Sequence, residues 1–93
     1  MKTITVLIGN SDNKLSQKEW SEYWTEVCGT LSDFEIETHF SAGSHCHAPW
    51  QNIAWVMTIK DTDIQPLTNR LIEIRKRYNQ DSIAILVGDT QFI

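Results

Sequence analysis

The segment FEIETHFSAGSHCHAPWQNIAWVMTIK, Phe34 to Lys60, decides how this chain folds. Its first run alternates: Phe34, Ile36, Thr38 and Phe40 fall on one side, Glu35, Glu37 and His39 on the other. That period of two predicts a strand with one wet face. Its last run, Gln51 to Lys60, carries Ile53, Trp55, Met57 and Ile59 on the stronger face and Ala54, Val56 and Thr58 on the weaker. Between them Ser41 to Pro49 is a loop of small and polar residues. Two strands joined by about ten residues form an antiparallel hairpin.

Working outward, each arm of the hairpin meets a helix and then a strand. Towards the N-terminus, Thr3 to Ile8 is apolar and β-branched and is closed by Gly9-Asn10-Ser11-Asp12-Asn13. Ser16-Gln17-Lys18-Glu19 then reads as a capping box, with Leu15 and Trp20 placed for a hydrophobic staple. Trp20, Tyr23, Trp24, Val27, Cys28 and Leu31 recur at helical spacing, and Gly29 is the expected stop. Towards the C-terminus, Asp63 is the expected cap of a second helix, with Pro66 in its first turn. Its buried stripe is Ile64, Leu67, Leu71, Ile74 and Tyr78; Asn79-Gln80-Asp81 ends it, and Ser82 to Val87 is the last strand.

The order β-α-β-β-α-β, with each helix as a right-handed crossover, predicts a ferredoxin-like α+β sandwich. It is a single domain over residues 1–93, a four-stranded antiparallel sheet in spatial order 4-1-3-2 with two helices on one face. Two helices leave the other face bare. Leu7, Ala54, Val56, Ala84 and Leu86 would make that face apolar, and a homodimer packed sheet to sheet is the economical cover.

Composition limits the function. Twelve acidic against eight basic residues give a net charge of −4, with a pI near 5.2. General nucleic-acid binding needs a surplus of clustered Lys and Arg, so it is excluded as the expected function. No run is apolar for the roughly 20 residues a membrane helix needs, and the N-terminal run is too short and too alternating for a signal peptide. Two cysteines, Cys28 and Cys46, make no disulfide framework and imply reduced thiols and a cytoplasmic protein.

The topology brings three polar segments to one end: the exit of the first strand, the hairpin loop and the start of the last strand. A ligand site is expected there, built from Asn10, Asp12, His45, His47, Trp50, Gln51 and Asp81. The ligand would be small and polar or nucleotide-like, or the site would hold a protein partner. Asparagine, glutamine and carboxylate groups would supply hydrogen bonds, and Trp50 either a stacking surface or a plug for the sandwich end. His39, His45 and His47 are the candidate metal ligands, since imidazoles beside the Cys46 thiol suit zinc or copper. The His-Cys-His spacing is no recognised zinc signature. Cys46 as an activated nucleophile lacks an assignable orienting Asp or Asn, and sequence neighbours in an extended loop point apart. Arg70, Arg75, Lys76 and Arg77 concentrate positive charge on the second helix, where its C-terminal dipole accounts for them. An anion beside that helix end is the functional alternative.

Ile8 to Asp12 with Leu15 to Trp20, Ala48 to Asn52 and Gln80 to Ala84 together resemble small uncharacterised proteins of bacteria and their phages with a ferredoxin-like βαββαβ layout. The resemblance spans nearly the whole chain and implies the fold; it carries no assigned chemistry. The expected function is a non-enzymatic binding module, such as a phage or host modulator protein. The alternative is a small dimeric α+β barrel-type enzyme using His45 or His47 as general base, or a metal-binding protein.

Overall fold

A computed structural model of the chain describes residues 1–44 and 51–93. Among the described residues the elements are β1 (Lys2–Gly9), α1 (Gln17–Phe34), β2 (Glu35–Gly43), β3 (Asn52–Ile59), α2 (Ile64–Arg77) and β4 (Ala84–Asp89). Short 3₁₀ turns at Ser11–Asn13 and Asp61–Asp63 precede the two helices. The strands form one antiparallel sheet with neighbours β2-β3-β1-β4, the series 4-1-3-2 when counted from the β4 edge.

One face of the sheet carries the core. Ile4, Val6 and Ile8 of β1 stand in register with Met57, Trp55 and Ile53 of β3. Against them pack Trp20, Tyr23, Val27 and Leu31 of α1 and Leu67, Leu71 and Ile74 of α2. Burial of such side chains is worth about 1.5–3 kcal/mol each, and this term holds the two layers together.

Helix α1 begins where the sequence places it. Ser16 Oγ accepts from the Glu19 backbone N–H at 3.2 Å, and Glu19 Oε1 accepts from the Ser16 N–H at 3.0 Å. Its end differs from the expectation. The helix runs through Gly29 to Phe34, because Thr30 and Leu31 extend the buried face. Burying Leu31 outweighs the roughly 1 kcal/mol that glycine costs inside a helix. Trp24 lies at the margin of the stripe, 37% exposed, and Cys28 is half-buried. At α2, Asp63 makes no side-chain cap, since the 3₁₀ turn already leads the chain into the helix. Its C-terminus closes as a Schellman motif: Asn79 is left-handed, with φ of 53°, its N–H donates to the Lys76 carbonyl, and Gln80 N–H donates to the Arg75 carbonyl.

The strand β2 breaks the expected alternation. Ile36 and His39 have no partners on β3, so each is an extra residue, a β-bulge. A one-residue insertion exchanges faces. Thr38 stands beside Met57 on the helix side, but Phe40, 58% exposed, stands beside Val56 on the opposite side, which is uncovered among the described residues. Leu7, Ala54, Val56, Ala84 and Leu86 share that uncovered side through the registers of β1, β3 and β4. No helix among the described residues is long and apolar enough to cross a membrane.

Candidate functional site

Strand β1 ends at the same end of the sheet where β2 stops and β3 and β4 begin. The chain after Gly9 crosses close to β3. A Cβ on Gly9 would stand 2.9 Å from Asn52 Oδ1, the end of a side chain that would have to shift to admit it. Asp12 and Asn13 then both take left-handed φ values, 51° and 55°, to turn the loop back towards α1.

Side-chain amides tie the loops together. Asn10 is only 3% exposed. Its Nδ2 donates to the Leu15 carbonyl at 2.9 Å and to Gln51 Oε1 at 3.0 Å, and its Oδ1 accepts from the Leu15 N–H at 2.9 Å. Its backbone N–H donates to the Gln51 carbonyl at 2.9 Å. Gln51 also donates from Nε2 to Gln17 Oε1 at 2.6 Å. On the other side, buried Gln80 accepts the Ser11 N–H on Oε1 at 2.8 Å and donates from Nε2 to the Tyr78 carbonyl. Lys14 donates to Asp81 Oδ1 at 3.0 Å, and the Asp81 N–H donates to Ser11 Oγ at 3.3 Å.

Beside this brace lies an open cavity of about 540 Å³. Leu7 and Ala84 give it an apolar floor; Ser11, Asp12, Asn13, Asn52 and Ser82 give it hydroxyl, amide and carboxylate walls. Among the described lining residues Asp12 is the one charged group, and no cation faces it.

The expected site residues therefore separate by role. Asn10 and Asp12 line the cavity, but the polar atoms of Asn10 are already engaged within the protein. Gln51 and Asp81 sit at the same end as parts of the brace. His45, His47, Trp50 and Cys46 lie outside the described residues. Ser11, Asn13, Asn52, Ser82 and Gln80 are additions that the sequence reading did not single out. His39 of the candidate metal set is engaged elsewhere, with Nε2 2.8 Å from Thr58 Oγ1. Among the described residues no three metal-ligating side chains gather.

The three arginines of α2 have their own partners. Arg77 pairs with Glu26, Arg70 with Asp33 at 2.9 Å, and Arg75 donates to the Gln80 carbonyl at 3.1 Å. The Arg77 guanidinium holds the Glu26 carboxyl below the usual carboxylate range, against the opposing effect of burial, and Tyr78 Oη donates to the same group at 2.8 Å.

No family model and no curated protein matches the chain. Among solved structures it is similar to a DUF3240 family protein from Shewanella baltica, at 10% identity and a TM-score of 0.60, covering 99% of this chain and 92% of that one. It is also similar to the hydroxynitrile lyase from Passiflora edulis, at 15% identity and a TM-score of 0.58, covering 99% and 97%. At these identities the likeness is one of fold.

Proposed function

We propose that this chain is a ferredoxin-like, non-enzymatic binding module that takes a small, polar, uncharged or cationic ligand at its loop end. The strand neighbours and the two helices on one face support the fold name. The cavity carries the functional reading: an apolar floor for one side of a ligand, with several fixed hydrogen-bonding groups around it. The brace through Asn10 and Gln80 supports it further, because walls already held in place lose little freedom on binding. The carboxylate of Asp12, with no cation among the described lining residues, favours amines and hydroxyls over phosphates. A nucleotide or other anion is the less supported ligand. The enzymatic alternative needs a base at the cavity, and among the described lining residues Asp12 is the one titratable side chain.

Denaturing the purified protein and analysing the released small molecules by mass spectrometry tests this. The expected result is one compound in near-stoichiometric amount from the wild type, and its loss from Ala84→Trp, which fills the floor of the cavity. Release of nothing by the wild type, or equal release by Ala84→Trp with an unchanged circular dichroism spectrum, would sink the reading.

A further inference from the structure

The uncovered face of the sheet is organised in rows. Pairing across the four strands places Ala42, Ala54, Leu7 and Ala84 side by side nearest the loop end. The next row is Phe40, Val56, Thr5 and Leu86, and the one below it Glu37, Thr58, Thr3 and Gly88. Of these twelve described positions only Glu37 is charged, and it sits on the edge strand. Phe40 and Leu86 stand 58% and 61% exposed, larger exposures than Leu7 shows at 40%. The bulge at His39 is what turns Phe40 to this side.

We infer that this face is covered by a second copy of the chain, its strands running opposite to the first. Three observations bear on a second copy. The net charge of −4 opposes the approach of two copies, and a face nearly free of charge is where that opposition is weakest. A twofold contact must be complementary to itself. Here the middle row is large and the row nearest the loops is mostly alanine, so an axis running between them lays each large row on the other copy's small row. The third observation concerns area. Four strands about 4.8 Å apart and about six residues long, at ~3.3 Å each, present a projected face of about 400 Å². Side-chain relief raises this, so two copies bury on the order of 1,000 Å², the low end of specific interfaces. Interfaces of that size belong with the transient ones, so the proposed dimer is a reversible one.

The same arrangement has a consequence for the cavity. Its floor, Leu7 and Ala84, belongs to the row nearest the loops. With the axis so placed, the threonine row of each copy, where His39 lies against the buried Thr58, stands opposite the loop-end cavity of the other and forms its outer wall. Only this last statement rests on the proposed ligand reading. A dimer that releases no ligand leaves the interface standing and overturns the ligand reading alone.

Sedimentation at micromolar concentration tests the interface with the wild type, Val56→Lys, Leu86→Lys and, as a control on the helix layer, Glu22→Lys. Wild type and Glu22→Lys are expected at twice the mass of the chain, dissociating on dilution, and both sheet variants at the single mass with native circular dichroism. Where Val56→Lys loses its fold, Leu86→Lys decides alone, since its side chain already stands in solvent in the single chain. A wild type that stays at the single mass overturns the proposal. So does a Leu86→Lys protein that still dimerises, which would point to pairing through the edge of β4.

Discussion

The hydroxyl of Tyr23 is the one buried side-chain polar atom among the described residues without a hydrogen-bond partner. The ring is fully buried, 5.0 Å from the ring of Tyr78 and 6.0 Å from that of Trp20. Burial pushes its pKa up to about 12. An unpaired buried hydroxyl opposes folding by about 1–3 kcal/mol. Tyr23→Phe is therefore expected to leave stability near neutral pH unchanged or to raise it by about 1 kcal/mol in urea unfolding. The alkaline limb gives a second readout. With the folded pKa above the ordinary value of 10, the neutral phenol's contribution is complete below 10 and is lost as pH rises through about 12. That loss is on the order of 2–3 kcal/mol in the wild type and absent from Tyr23→Phe. Nothing in the helical spacing of Tyr23 announces the missing partner. The spacing shows that the ring is inside and is silent on what meets its oxygen.

At the scale of elements, legibility followed the locality of the cause. The start of α1 was readable because a capping box is completed within four residues. Its end was not, because Gly29 stops a helix only where the chain turns left-handed, and burial of Leu31 carries the helix onward. A Cβ at Gly29 meets nothing within 4 Å. Gly29→Ala is thus expected to stabilise the protein by about 1 kcal/mol, seen as a higher denaturation midpoint with an unchanged denaturant slope. The two helices are also joined by charge. Glu26, held low by Arg77 first and aided by Tyr78, contributes stability that is present above the ordinary carboxylate range and lost as pH falls through its lowered pKa. Acid titration of Glu26→Gln should show a shallower loss of stability on that side than the wild type; an identical acid limb would mean the pair adds nothing.

For the whole molecule, the meeting of three loops at one end was legible because topology alone brings them together. The roles of the residues there were not. Asn10 and Gln51 looked like ligand donors from their polarity, yet they brace the loops, while Asn52 reaches the cavity through its register opposite Gly9 and Ser82 through its place just before β4. The uncovered face was legible as five apolar positions, and Phe40 joined it through a bulge that alternation does not reveal. If a second copy covers that face, folding and association are linked. The thermal midpoint should then rise with protein concentration in the wild type and stay constant in Leu86→Lys, a comparison made by calorimetry over a dilution series.

The bulge at His39 also sets a rule for how this chain tolerates change in length. Removing one residue there would act on β2 as a frameshift acts on a reading frame. Each side chain beyond it would be delivered to the opposite surface, Phe40 towards the helix side and Ser41 towards the other. The strand's spelling could stay almost intact while its sense was inverted. Length in β2 is therefore as much a part of the protein's information as residue identity.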